Sequence, residues 1–103
     1  MSDQVTWLGH SFYVCHIDSN WSQHGGVYIF TALDNKGQWW PFYIGQSEQF
    51  SNRLPNHERW EEAVRMGATH VHAMVVPQAA TRDAIERELI RRYQPKLNTH
   101  HVG

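Results

Sequence analysis

The stretch GGVYIFTALDNKGQWWPFYIG, residues 25–45, decides the fold. Two runs rich in β-branched and aromatic residues, 27–30 and 39–44, flank the polar segment 34–37. Such runs are typical of strands, and the sequence Asp-Asn-Lys-Gly is typical of a turn. The stretch therefore predicts a β-hairpin. Because Pro41 cannot donate a ladder hydrogen bond, we expect it at a sheet edge or at a bulge.

The rest of the chain predicts regular elements around this hairpin. Four further segments have the required periodicity: strands over 11–17 and 70–76, and helices over 57–66 and 81–93. Ser47 and Thr81 are candidate N-caps, while Gly67 and Pro95 are suited to end helices. This order predicts an α+β fold in which a small, mainly antiparallel sheet of three to four strands is flanked by helices.

Composition limits the class of protein. A chain of 103 residues with 41% hydrophobic residues and five Trp fits one folded domain. The lone Cys15 cannot form an internal disulfide, and no apolar run is long enough for a membrane span, so we expect a cytoplasmic protein without membrane association. The formal net charge of −1 argues mildly against nucleic-acid binding, which usually needs a basic excess.

Two short motifs indicate the function of the chain more strongly than its net charge does. Gly26-Val27-Tyr28 and Tyr43-Ile44-Gly45 resemble the motif pair that names the GIY-YIG nuclease family. Arg53, in YIGQSEQFSNRL, stands where that family has an arginine facing the phosphate, and His57 follows four residues later, where several members have a histidine.

The C-terminal third of the chain extends the resemblance. In ERELIRRYQPKLN, Glu86 with the following Pro95 and Asn98 resembles the family's metal-binding glutamate and its closing asparagine. The resemblance covers about residues 25–98, so this range is the expected GIY-YIG-like nuclease domain. Residues 1–24 are then an N-terminal extension that adds an edge strand, and residues 99–103 are a C-terminal tail.

The resemblance implies a metal-dependent endonuclease that hydrolyses phosphodiester bonds in DNA. Glu86 would hold a Mg²⁺ (or Mn²⁺) ion, a hard cation that accepts few carboxylates and keeps several waters. Arg53 would pair with phosphate oxygens through its planar fork. Tyr28 would be the general base, with Arg53 and the metal lowering its pKa. Tyr43 would position the attacking water or help to lower that pKa.

Three further residues complete the expected site. His57 could relay a proton from Tyr28 or contact phosphate. Asn98 and Lys96 are candidate substrate-binding residues, although Asn98 is better suited to fastening loops together by side-chain hydrogen bonds. Substrate specificity would come from a recognised DNA structure, a protein partner or a homodimer.

The sequence leaves alternatives open. Glu88 rivals Glu86 as the metal ligand, and Arg53 could simply pair with Glu48 or Glu58. Gln46 stands where many family members have a lysine, which favours a second reading, a nucleic-acid-binding module without catalysis. A structural zinc site is a third reading, whose ligands would come from the Cys and His residues Cys15, His16, His70, His72, His100 and His101.

Overall fold

The computed structural model describes residues 3–99, with the side chain of Thr99 left out. Within this range there are five strands: β1 Gln4–Trp7, β2 His10–Cys15, β3 Gly26–Leu33, β4 Trp39–Ser47 and β5 His70–Val75. The same residues form four α-helices: α1 Phe50–Arg53, α2 Glu58–Arg65, α3 Ala79–Tyr93 and α4 Lys96–Thr99. A 3-10 turn, Leu54–Asn56, joins α1 to α2. The predicted α+β class is confirmed.

The five strands make one antiparallel sheet in the order β1-β2-β5-β3-β4. The prediction of three to four strands falls short because residues 1–24 supply two strands, of which only β1 lies at an edge. The turn between them is Leu8-Gly9, and both residues have positive φ, 49° and 83°. Leu is rarely found in that conformation, so no turn signal marked this hairpin in the sequence.

The hairpin of β3 and β4 has the predicted form. Asp34 accepts the backbone N–H of Gly37 at 3.1 Å, and Gly37 has a φ of 77°, which closes the turn. Phe30 pairs with Tyr43, but the next residue, Thr31, pairs with Pro41, so β4 has a bulge. Pro41 thus lies at a bulge on an edge strand, as expected.

Alternation along β3 sends side chains into two apolar layers. Tyr28 and Phe30 pack in a cluster with residues of α1 and α2, including Phe50 and Ala63. Val27 and Ile29 face the other way, into a cluster that contains Leu89 of α3. The sheet is therefore covered on both faces, as the alternation of strand side chains requires.

Two helices begin at other residues than the sequence predicted. Ser47 ends β4, and α1 begins at Phe50 after Gln49. Thr81 is inside α3, which begins at Ala79 after Gln78. Neither Gln49 nor Gln78 makes a side-chain capping bond, so the residue types that usually mark a helix start do not mark these two.

A buried chain of hydrogen bonds fastens the N-terminal hairpin to the sheet. Trp7 Nε1 donates to His72 Nδ1 at 2.9 Å, His72 Nε2 lies 3.4 Å from Thr31 Oγ1, and that hydroxyl donates to the His70 carbonyl at 3.3 Å. Both nitrogens of His72 therefore have partners within the protein. A zinc role for His72 would break this chain.

The hypothesis of a structural zinc site has no support in residues 3–99. No cluster of three or more potential metal-binding side chains of the His, Cys, Asp and Glu types occurs there. His100 and His101 lie outside the described residues, as does the predicted tail beyond Thr99. Within the same range, no helix is both long and apolar enough to cross a bilayer.

Candidate active site

Tyr28 is held against the backbone of the neighbouring strand. It pairs with Gly45 in the hairpin, and a Cβ atom at position 45 would come within 2.6 Å of the Tyr28 ring and hydroxyl. Real Cβ contacts are essentially never that short, so glycine is required for the phenol to lie there. The two motifs are thus in direct contact, because the tyrosine of the first packs on the glycine of the second.

The Tyr28 hydroxyl has a partner on helix α2. Tyr28 Oη lies 2.6 Å from Nε2 of His57, and both side chains are buried. His57 is also the N-cap of α2, because its Nδ1 accepts the backbone N–H of Arg59 at 3.1 Å. The 3-10 turn Leu54–Asn56, which contains Pro55, delivers His57 to this position directly after Arg53.

Arg53 pairs with Glu58, one of the two partners that the sequence left open. Its guanidinium donates to both carboxylate oxygens, at 3.0 and 3.2 Å. The pair is largely exposed, with 38% of the Arg53 side chain and 68% of the Glu58 side chain accessible. An exposed ion pair contributes little stability, so the fork of Arg53 can exchange Glu58 for another anion at small cost.

Electrostatics tie three of the expected residues to one place. Burial raises the pKa of Tyr28 well above its ordinary value, and the nearby Tyr43 adds to the rise. The charge of Arg53 lowers the pKa of Tyr28, whereas the charge of Glu86 raises it. Both charges therefore act on the same phenol. The expectation that Arg53 lowers the Tyr28 pKa has the right sign, but burial outweighs it.

Tyr43 and His57 share these surroundings. Burial, followed by the charge of Glu86, raises the pKa of Tyr43. Burial and then the positive charge of Arg53 lower the pKa of His57 to about 4, so its imidazole is neutral at pH 7. The aromatic rings of Tyr43 and His57 are in edge contact, with centroids 5.3 Å apart.

Glu86 approaches this group from the other face of the sheet. Cross-strand partners share a face, so Gln46, the partner of Val27, points toward α3, where Glu86 lies. Gln46 Nε2 donates to Glu86 Oε1 at 2.9 Å and also to Asp83. The tyrosines and Glu86 thus lie on opposite faces of the sheet beside the edge strand β4, close enough for the charge of Glu86 to raise the pKa of both phenols.

A buried arginine fixes the orientation of Gln46. Arg82 is 5% exposed and donates to the carbonyls of Val76 and Pro77 at 3.1 and 3.0 Å. Its Nε also donates to Gln46 Oε1 at 3.4 Å, which leaves the Gln46 amide NH₂ for the carboxylates. Sequence reasoning missed Arg82 and Asp83. Their spacing from Glu86, four and three residues along one helix, was the available signal.

The remaining expected residues lie around this centre. Glu88 is directed elsewhere, toward His10 Nε2 at 3.2 Å, which favours Glu86 over its rival. Asn98 is buried, accepts the backbone N–H of Ile44 and donates to its carbonyl, both at 2.8 Å. These bonds fit the interpretation that Asn98 fastens segments together, here α4 to β4. Contact between Asn98 and a substrate stays a prediction.

Lys96 is exposed in α4 and lines a depression of about 660 Å³ with Trp40, Tyr93 and Met66. Trp40 is 59% exposed, while Trp39 and Trp60 pack partly against the core. A substrate contact of Lys96 also stays a prediction. Two smaller clefts, of about 320 and 330 Å³, are lined in part by Arg53 and by His57 respectively.

The donor set at Glu86 fits a hard divalent cation. Glu86 is half-buried and has one hydrogen-bonded oxygen, and Asp83 is the nearest second carboxylate. Because one or two carboxylates are available, most ligands would be water and substrate phosphate, which is the coordination that Mg²⁺ prefers. Burial raises the pKa of Glu86, as an unneutralised carboxyl in this position requires.

Comparison with known proteins identifies the family. The structure is similar to the GIY-YIG N-terminal endonuclease domain of UvrC from Thermotoga maritima bound to its catalytic magnesium, with 34% identity and a TM-score of 0.58. The similarity covers 75% of this chain and 85% of that domain. The chain belongs to the GIY-YIG family. A point mutant of the same domain, also bound to its divalent cation, is 33% identical with a TM-score of 0.59, over 75% and 84% of the two chains.

Sequence similarity reaches the same protein. The GIY-YIG chain is 38% identical to UvrABC system protein C of Thermotoga maritima in an alignment of 77 residues that covers 71% of this chain. It spans only 13% of the length of that relative. No protein-family model matches the chain.

Proposed function

We propose that this chain is a metal-dependent endonuclease that hydrolyses phosphodiester bonds in DNA. The observation that supports the proposal is that Arg53 and Glu86 both lie close enough to the Tyr28 phenol for their charges to act on its pKa. The similarity to a magnesium-bound endonuclease domain supports it.

The residues divide the reaction between them. In its anionic form, Tyr28 accepts a proton from a water molecule while that water's oxygen forms a bond to phosphorus. The bond from phosphorus to the leaving sugar oxygen breaks, and that oxygen takes a proton from solvent. Arg53 exchanges Glu58 for two phosphate oxygens and neutralises the charge that develops on them. Tyr43 positions the attacking water, and His57 is the partner of Tyr28.

Glu86 would hold the divalent metal, Mg²⁺ or Mn²⁺. When bound, the metal polarises the phosphate and stabilises the leaving oxygen. Gln46 keeps one Glu86 oxygen occupied, so the other oxygen is presented to the metal. Lys96 and Asn98 are the proposed flanking substrate contacts.

Replacing Glu86 tests this proposal against a matched control. Glu86→Gln removes the metal ligand, and Glu88→Gln removes a carboxylate on the same helix that contacts His10. Loss of metal assistance costs several kcal/mol, so we expect plasmid cutting with Mg²⁺ to fall about a hundredfold or more in the first variant. Glu88→Gln should cut like the wild type. Equal cutting by Glu86→Gln and wild type at every Mg²⁺ and Mn²⁺ concentration would overturn catalysis by this site.

A binding module without catalysis is the second candidate. The net charge of −1, the glutamine at position 46 and the neutralisation of Arg53 by Glu58 favour it. Gel shifts of duplex, branched and single-stranded DNA and RNA in EDTA separate the two functions. Tight binding without metal-dependent cutting would establish the module. The same shifts, combined with light scattering, show whether a homodimer or a monomer recognises the substrate.

A further inference from the structure

The second contact of the His57 ring, at Nδ1, determines which of Tyr28 and His57 donates the hydrogen bond between them. His57 Nδ1 lies 3.1 Å from the backbone nitrogen of Arg59. A peptide N–H can only donate, so Nδ1 must offer its lone pair and cannot hold a proton. The N-terminus of α2 thus determines which ring nitrogen is available for Tyr28.

The His57 ring is neutral in this setting. Its side chain is buried, and the charges nearest to it are the cations Arg53 and Arg59 and the anion Glu58, which Arg53 neutralises. Burial and the two cations disfavour an imidazolium, and the lowered pKa of His57 agrees. A neutral imidazole without a proton on Nδ1 has it on Nε2. That N–H points at Tyr28 Oη, 2.6 Å away.

We propose that the cap of helix α2 locks His57 in the Nε2–H tautomer, so that His57 is a positioning residue that donates a hydrogen bond to Tyr28 and does not accept its proton. This inference rests on the proposed nuclease function and replaces the proton relay that the sequence suggested. The lock itself depends only on the two contacts of the ring, at Nδ1 and Nε2.

The lock changes how Tyr28 becomes a base. The hydroxyl oxygen of Tyr28 already accepts the His57 N–H, so its own proton is directed away from His57. Because the Tyr28 side chain is buried, that proton has to pass to a water molecule that enters the site. The resulting phenolate then has two donors, the His57 N–H and the nearby Arg53 guanidinium. Hydrogen bonds to the charged form favour that form, so both donors oppose the effect of burial on Tyr28.

The tautomer can be observed without any cutting. Long-range ¹H–¹⁵N spectra of ¹⁵N-histidine-labelled protein distinguish a protonated from an unprotonated ring nitrogen, and the His57→Asn spectrum assigns the signals. At pH 7 we expect His57 Nε2 to be protonated and Nδ1 to be unprotonated. An Nδ1–H tautomer or an imidazolium would overturn the lock, even if the protein cuts DNA. If the lock holds and no cutting occurs, only the nuclease proposal fails.

Two substitutions separate the cap from the donor. His57→Asn keeps an acceptor for the Arg59 N–H, since Asn is a favoured N-cap, but it is too short to reach Tyr28. His57→Gln loses the favoured cap and keeps an N–H that reaches Tyr28. We expect His57→Asn to raise the Tyr28 pKa measured by ¹³C NMR and to cut about tenfold to a hundredfold more slowly.

His57→Gln should cut faster than His57→Asn although it is less stable. The opposite ranking, or a Tyr28 pKa that falls in His57→Asn, would show that His57 accepts the proton of Tyr28. If either variant fails to fold, the wild-type nitrogen spectra and the wild-type Tyr28 pKa still decide the direction of the bond.

Discussion

Gln46 makes contacts on both sides of its amide group, with a buried arginine and with two carboxylates. Family resemblance places a lysine there in many members, and this chain has an amide in its place. Arg82 binds the carbonyl side of that amide, so the NH₂ group has to face Glu86 and Asp83. A neutral donor thus orients the carboxylate without competing with a cation for the site.

Gln46→Leu should weaken metal binding because it removes the group that orients Glu86. Loss of a hydrogen bond to a metal-binding residue typically reduces affinity about tenfold to a hundredfold, so we expect a tenfold weaker binding of Mn²⁺, measured by electron paramagnetic resonance titration. Gln38→Leu, in an exposed turn residue, should bind as the wild type does. Unchanged affinity in Gln46→Leu would mean that Glu86 is oriented by other contacts.

The hairpin of β3 and β4 holds the Tyr28 side chain in one position. The phenol packs across Gly45, and its hydroxyl reaches His57 over that glycine. Gly26, at the start of β3, is equally confined, because a Cβ there would come within 2.0 Å of the Met74 carbonyl oxygen. Glycine is therefore required at each motif position because other atoms lie too close for a side chain, and not because the backbone turns there.

Gly45→Ala should displace the Tyr28 ring and break its bond to His57. We expect cutting to fall at least about tenfold, the cost of one misplaced catalytic hydrogen bond, together with a loss of about 1–3 kcal/mol in the free energy of unfolding from overpacking. Gly37→Asn is the control, since its side chain meets open space and Asn tolerates a positive φ. Urea unfolding and plasmid cutting measure both effects. Wild-type cutting by Gly45→Ala would contradict this account of the glycine.

An element could be predicted from the sequence where neighbouring residues in the chain determine its structure. The hairpin of β3 and β4 was predictable because alternation and a turn signal specify it within 20 or so residues. The hairpin of β1 and β2 was not, because its turn contains Leu8 with a positive φ, a conformation that leucine rarely adopts and that its sequence does not signal.

The same distinction applies to the site. Tyr28, Arg53, His57 and Glu86 were named from motifs, and the structure brings them to one edge. Arg82 was missed because its burial depends on carbonyls in the loop after β5, and the acceptor role of His57 Nδ1 depends on where α2 begins. Spacing along α3 could have placed Arg82 beside Glu86, but its burial and its carbonyl partners depend on contacts between separate elements, which the local sequence does not specify.

Two histidines that are buried in the described part of the chain, His57 and His72, make stability depend on pH. His57 and His72 have pKa values of about 4 in the folded protein, against an ordinary 6.5. Between these values the unfolded chain binds more protons than the folded one. Stability is therefore complete above pH 6.5 and decreases as the pH falls to about 4, by on the order of 3 kcal/mol for each histidine.

Urea unfolding between pH 7 and pH 4 should show this slope. We expect the free energy of unfolding to fall steadily over that range, and that of His57→Asn to fall about half as steeply, because His72 then remains as the buried histidine whose pKa is strongly lowered. The bonds of His72 to Trp7 and Thr31 are untouched in this variant, which isolates the contribution of His57. A flat profile above pH 4.5 in the wild type would contradict the buried neutral histidines.

The ion pair of Arg53 with Glu58 bears on the overall charge of −1. Under the proposed function, Glu58 occupies in the free protein the place on Arg53 that a phosphate would take, so binding of DNA would exchange one anion for another. The contribution of Arg53 to DNA affinity would then be the difference between its binding to phosphate and its binding to the Glu58 carboxylate. A domain of this kind would need no general excess of positive charge to keep the guanidinium paired.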